Sequence, residues 1–187
     1  MTGGYDDDTA TLAALAAGRG DRAAATLFIE ATQRAVYRFL GHLADARDTE
    51  DLAQETYLRA VRALPGFAGA ASARTWLLAI ARRVAADHVR AAVRGPRTVS
   101  VSGREQAVEA ARPGHGFEEG VLLRRLLAEL PPARREAFVA TQVLGLSYAD
   151  AARVCGCPVG TIRSRVARAR DDLVQAYRAG ASRRTGS

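Results

Sequence analysis

Apolar residues return at intervals of three and four along most of this chain, which is the period of an α-helix packed on one side. Between positions 21 and 43, Leu27, Phe28, Ala31, Ala35, Val36, Phe39, Leu40 and Leu43 form one stripe, with Asp21 ahead of it as an N-cap. A shorter helix is predicted over Thr9 to Ala17, ending at Gly18, with residues 1 to 8 disordered before it. Asp48 is placed to cap a third helix that runs to Leu64. Its buried face reads as Leu52, Ala53, Tyr57, Ala60, Val61 and Leu64, while Asp51, Gln54, Glu55 and Leu58 fall largely off that face. Pro65-Gly66 stops the helix and Phe67 to Ala71 is a loop. Ser72 caps a fourth helix through about Val93, with Trp76, Leu77, Ile80, Ala81 and Val84 turned inward and Arg82, Arg83 and Arg90 on a basic side.

From 94 to 116 the periodicity stops, and Gly, Pro, Ser and Arg dominate, as in a flexible linker with room for a helical turn at Glu105 to Ala111. The period resumes over Phe117 to Leu130, with Val121, Leu122, Leu126 and Leu127 as core. Pro131-Pro132 separates this helix from one ending at Leu144. The fold class is therefore all-α: two small helical domains, 9–93 and 117–178, joined by the linker 94–116, with a disordered tail from Gly180.

The most informative stretch is Leu144 to Arg170. Gly145 can end the preceding helix in a left-handed turn. Ser147 and Asp150 stand in the relation of an N-cap and its partner three residues on. Gly156 breaks the short helix that follows, and Pro158 suits the first turn of the next. In that next helix Ile162, Val166, Ala169 and Leu173 share a face, and Arg163, Ser164, Ala167, Arg168 and Arg170 lie elsewhere. An apolar back and an arginine-rich front across a fixed turn suit a helix-turn-helix that enters a DNA major groove. A helical hairpin with a merely solvated basic face has the same pattern.

Composition narrows the choice of partner. The formal net charge is +7, with every basic residue of the Lys/Arg pair an Arg because the chain has no Lys, and it points to a polyanion. No apolar run is long enough to span a bilayer, and the acidic start MTGGYDDDTA is unlike a signal peptide, so a cytoplasmic protein without membrane insertion is expected. Cys155 and Cys157 are too close to make a good structural disulfide and have no His near them in sequence, so they read as packing. His42, His88 and His115 are isolated. With no phosphate loop, nucleophile elbow or metal-spaced cluster, the expectation is a non-enzyme with no cofactor and no metal, whose function lies in its surfaces.

Three surfaces differ in charge. The helix after Pro158 is basic. The helix after Ser72 is basic and begins beside Phe67 and Trp76; aromatics next to arginines can stack on exposed bases, and they can equally be core. The helix containing DTEDLAQE is acidic, which suits a basic protein surface or plain solvation.

Three segments carry a resemblance to a known family. Asp51 to Thr56, Phe67 through Ser72 to Ala81, and Leu144 to Arg170 resemble, in this order and spacing, the core-binding helix, the −10 element region and the −35 element region of sigma-70 family sigma factors. The group is the extracytoplasmic-function (ECF) group, and within it the wording is similar to the actinobacterial sigma C type. The resemblance implies a subunit that directs core RNA polymerase to specific promoters and assists −10 melting. It implies that Asp51, Leu52, Gln54, Glu55 and Leu58 bind the coiled coil of the β′ clamp. Phe67, Trp76, Arg82, Arg83 and Arg90 would serve the −10 element, with the loop from Pro65 to Ala71 holding a flipped base. Thr161, Arg163, Ser164, Arg165, Ala167 and Arg168 would serve the −35 element. Core RNA polymerase, including its β flap, and promoter DNA are the implied partners, and regulation from outside leaves room for an anti-sigma factor. The loop is richer in Ala and Gly than the family pattern, which leaves Phe67 and backbone groups to meet a base. The alternative is a stand-alone helix-turn-helix regulator; it needs a dimer element to read two half-sites, and none is evident.

Overall fold

The computed structural model describes residues 6–94 and 116–185, with side chains described over 6–92 and 122–179. The expected linker, apart from its two end residues, lies outside the described residues, as do its suggested helical turn, His115 and residues 1–5. Eight α-helices and no strand occupy the described residues. They form two groups, α1 (Asp7–Gly18), α2 (Arg22–Leu43), α3 (Thr49–Ala63) and α4 (Ala73–Arg94), then α5 (Gly116–Glu129), α6 (Pro132–Phe138), α7 (Tyr148–Cys155) and α8 (Val159–Thr185).

In the first group α2 is the spine. The Asp21 carboxylate accepts from Ala24 N, and Phe28, Thr32, Val36, Phe39 and Leu40 form the buried stripe. Thr32 is tolerated inside because its hydroxyl donates to Phe28 O at 2.7 Å, within its own helix. α1 starts earlier than the sequence pattern suggests: Asp6 accepts from Thr9 N, and Asp7 and Asp8 already lie in the first helical turn, where carboxylates complement the helix dipole. α3 also departs from expectation at its start. Asp48 makes no capping bond; a short 3-10 turn over Ala46–Asp48 leads straight into the helix, and the Asp48 carboxylate faces His88 at 3.3 Å. The buried face of α3 is Leu52, Ala53, Thr56 and Ala60, with Val61 exposed.

In the second group Leu127, Leu130, Ala137, Val139 and Ala140 pack beneath Ile162, Val166 and Ala169 of α8. Leu122 and Leu126 are half-buried, and the Val121 side chain is outside the described residues. The helix expected to end at Leu144 changes register first: after Phe138 one π turn spans Val139–Val143, and Leu144 N bonds to Val139 O. Gly145, at φ +71°, then turns the chain. Ser147 accepts from Asp150 N and caps α7, and Gly156, at φ +61°, ends it in the left-handed region that a side chain rarely enters. Cys157 N and Gly156 N return to the carbonyls of Ala152 and Arg153, a Schellman ending that sets the angle between α7 and α8. α8 is longer than expected: the helix continues through the supposed tail to Thr185.

The two groups are in contact. α7 packs against α4, and α5 and α6 meet α2. The junction is polar as well as apolar. Arg82 donates to Glu136 at 2.7 Å, Arg74 donates to Leu144 O at 2.6 Å, and Arg38 donates to Val143 O at 3.2 Å. The last two acceptors are carbonyls at the C-terminal end of the π turn, where the dipole of the helix favours cations.

Candidate nucleic-acid interface

α8 divides cleanly between core and surface. Ile162, Val166 and Ala169 are buried, and Arg163, Ser164, Ala167 and Arg168 are exposed on the opposite side. Arg163 and Arg168 have no ion-pair or hydrogen-bond partner among the described residues, so both guanidinium groups are available. The remaining two expected members are less free. Thr161 is half-buried at the start of the helix, where its carbonyl accepts from the Ser164 hydroxyl. Arg165 is half-buried with a guanidinium nitrogen 3.5 Å from Cys157 Sγ. Arg170 donates at 2.8 Å to the Gln142 side-chain oxygen, within the π turn. Both thiols are free; Cys155 is buried, and that burial pushes its thiol up to about 12.

The second surface begins at the 3-10 turn Leu64–Gly66 and runs through the loop into α4. Phe67 and Trp76 are half-buried with ring centroids 4.9 Å apart, and Trp76 rests in turn on Phe28, 6.4 Å away. Trp76 is thus anchored to the core stripe of α2, and Phe67 lies at the surface end of the stack. Ser72 accepts from Thr75 N and caps α4 as expected. Of the three arginines of α4 expected to serve the −10 element, Arg83 is exposed and unpaired among the described residues. Arg82 is ion-paired with Glu136, so it is not presented to a nucleic acid in this arrangement. Arg90 is paired with Asp87.

The third surface is acidic and apolar together. Asp51, Gln54 and Leu58 follow at intervals of three and four along the exposed side of α3, and Val61 continues the row. Leu58 is 53% exposed and Val61 48%, so the two place an apolar strip on the same side as Asp51 and Gln54. Leu52 does not belong here. It is 6% exposed and part of the core, because it lies one helical turn before Thr56 on the inner face. Glu55 is engaged by Arg59 at 2.7 Å, and Arg59 also reaches Asp87 at 2.9 Å. The Arg59 and Arg90 guanidinium groups hold the Asp87 carboxyl below its ordinary range. Arg59 and Asp87 were missed from sequence; the Glu55–Arg59 spacing of four was a readable signal, whereas Asp87 is on another helix.

Family models place the chain. Residues 28–95 match "Sigma-70 region 2" and residues 120–173 match "Sigma-70, region 4". The chain is also 53% identical over 169 residues to the ECF RNA polymerase sigma factor SigC of Mycobacterium tuberculosis, covering 90% of this chain and 91% of the relative. This chain belongs to the sigma-70 family, in its extracytoplasmic-function group.

Solved structures agree. The sigma factor RpoE of Bartonella quintana, solved with the anti-sigma factor NepR, is similar at a TM-score of 0.70 and 28% identity, covering 80% of this chain and 94% of that one. CnrH, solved with the cytosolic domain of CnrY, has the same fold at a TM-score of 0.71 and 23% identity, covering 93% of this chain and 99% of that one. The sigma factor is accordingly a transcription initiation factor that binds core RNA polymerase and promoter DNA and directs the polymerase to specific promoters. No helix among the described residues is long and apolar enough to cross a membrane, and no group of three His, Cys, Asp or Glu among them could hold a metal ion.

Proposed function

We propose the following division of labour within this sigma factor. Residues 9–93 form the domain that binds core polymerase and the −10 element, and residues 117–178 form the −35 domain, joined by 94–116. Asp51, Gln54, Glu55 and Leu58, now with Val61, meet the β′ clamp: an apolar pair with Asp51 and Glu55 at its N-terminal end suits a basic partner that also has apolar surface to cover. Arg163, Ser164, Ala167 and Arg168 read the −35 major groove, and Arg165 and Thr161 support the start of that helix. Phe67, stacked on Trp76, receives an unpaired −10 base, with Arg83 near the phosphates.

The observation that carries the −10 role is the Phe67–Trp76 stack itself. Its inner ring is tied to the core and its outer ring borders an otherwise small-residue loop. A base extruded from duplex DNA loses its stacking partners, at a cost of about a few kcal/mol, and an aromatic platform offsets part of that loss. Arg82 and Arg90 contribute to DNA binding only after leaving Glu136 and Asp87. The protein works in the cytoplasm, where core polymerase and DNA are, and a regulatory partner of the anti-sigma kind would bind the same helical groups.

The test is transcription by reconstituted holoenzyme from a duplex promoter and from one pre-melted across the −10 element. Phe67→Ala should bind duplex normally, form open complexes poorly, and recover in part on the pre-melted template. Duplex transcription at the wild-type level by Phe67→Ala would make the loop purely structural.

A further inference from the structure

We infer that α1 is the brace that holds the −10 loop in shape, and that Thr11 and Gly18 are positioning residues for capture of the −10 strand. This role rests on the strand-capture reading given above. No DNA or polymerase contact is assigned to α1, yet it touches the loop at its beginning, middle and end.

At the beginning, Gly18 closes α1 directly against the 3-10 turn that launches the loop. A Cβ on Gly18 would stand 2.5 Å from the carbonyl oxygen of Leu64, closer than any real contact. The obstacle is backbone, so nothing flexible can yield; only the absence of a side chain lets the helix end and the turn meet. In the middle, the Leu15 methyl groups lie 3.7 Å from the point where a Cβ of Gly69 would be, so α1 backs the loop at its least bulky residue.

At the end, Thr11 completes the cap of α4. The first N–H groups of a helix have no partner within it. Ser72 serves Thr75 N, and Ala73 N is served from another helix, by Thr11 Oγ1 at 3.0 Å. The same hydroxyl donates to Asp7 O at 2.6 Å. Its one proton is therefore committed within α1, and its lone pair is turned to Ala73 N. Ala73 is buried, and three residues later in α4 comes Trp76, the base of the aromatic stack. A shift of the α4 start relative to α1 moves Trp76 and Phe67 together. Asp7 and Arg74, 3.7 Å apart, add a weaker tie at the surface.

The experiment uses full-length protein in holoenzyme and measures open-complex formation on duplex and on pre-melted −10 templates. Thr11→Val keeps the shape and removes the acceptor; Thr11→Ser keeps the hydroxyl. Thr11→Val should slow open-complex formation on duplex by about three- to tenfold, the worth of one hydrogen bond. The pre-melted template should restore most of the loss, and Thr11→Ser should behave as wild type. Gly18→Ala should act in the same direction and more strongly, with thermal unfolding followed in parallel. Wild-type rates for Thr11→Val on duplex, with Phe67→Ala defective, would overturn the brace and leave strand capture standing. Equal losses on both templates, or failure of Thr11→Ser to restore the rate, would reduce Thr11 to general stability and overturn it too. If Phe67→Ala is as fast as wild type, strand capture fails and the positioning role falls with it.

Discussion

Arg82 on α4 and Glu136 on α6 form an ion pair with a 2.7 Å hydrogen bond, and Glu136 retains only 13% of its side-chain exposure. These residues are far apart in sequence and come from the two halves of the sigma factor. The pair joins α4, proposed to face the −10 element, to the half that carries α8. Arg74 and Arg38 donate to the carbonyls of Leu144 and Val143 at the end of the π turn, so three arginines of the first group are engaged by the second.

Glu136→Gln should therefore loosen the two halves without unfolding either. A charged hydrogen bond that is largely screened from solvent contributes about 1.5–3 kcal/mol. Single-molecule distances between labels on α4 and α6 of the free protein should broaden, and Arg82→Ala should have a similar effect. An unchanged distance distribution in both variants would show that apolar packing of α7 on α4 suffices to hold them.

Arg163→Ala and Arg168→Ala should lower promoter selection by holoenzyme. A bidentate arginine–guanine contact supplies about 1–3 kcal/mol of discrimination, visible as altered preference at one or two −35 positions. Loss of an arginine that meets only phosphate weakens binding to all sequences alike and flattens the salt dependence. Binding titrations over −35 variants at several salt concentrations separate the two. Wild-type affinity and preference in both variants would remove this face of α8 from promoter recognition.

The acidic patch makes a contrasting pair of expectations. Gln54→Ala with Glu55→Arg should weaken core polymerase binding in a fluorescence titration while changing stability by less than about 1 kcal/mol, because the Glu55–Arg59 pair is exposed. Val61→Asp should also weaken assembly. Leu52→Ala should instead lower stability by about 2–5 kcal/mol, as expected for a truncated core leucine. Normal assembly by both surface variants would exclude this face of α3.

His42 should confer a pH dependence on stability. Burial lowers its pKa from the ordinary 6.5, helped by Arg124 and Arg38, and its Nδ1 is buried without a hydrogen-bond partner. The folded form thus favours neutral imidazole. Above pH 6.5 the unfolded chain gains no proton there, and the contribution to stability is complete. As the pH falls below that value the unfolded state takes up the proton first, and stability declines until the folded pKa is reached. Thermal midpoints between pH 5 and 8 should show this decline, and His42→Gln should flatten it. An equal slope in the variant would assign the dependence to other groups.

Most of the secondary structure and the whole helix-turn-helix turn were legible in the chain, because their causes are local. The Asp21 cap, the Ser147–Asp150 box and the glycines at 145 and 156 act within a few residues of themselves, and helical stripes repeat within a single element. Local pattern misled where two readings shared one period. On α3 the stripe alone set Leu52 inward and Leu58 off the buried face, and it misled at Val61, which the packing of α3 on α2 and α4 leaves exposed. Asp48 looks like a cap, but a preceding 3-10 turn and His88 claimed it. The π turn, the pairing of Arg82 with Glu136 and the reach of Thr11 to Ala73 were not readable from the sequence. Each joins groups whose separation along the chain carries no information about their separation in space. The sequence by itself determined the helices, the sharp turn between α7 and α8 and the basic face of α8, since those depend on backbone chemistry and the 3.6-residue period. Only the tertiary structure decided which arginines are free, which are spent between the two halves, and that α1 packs against the loop from Pro65 to Ala71.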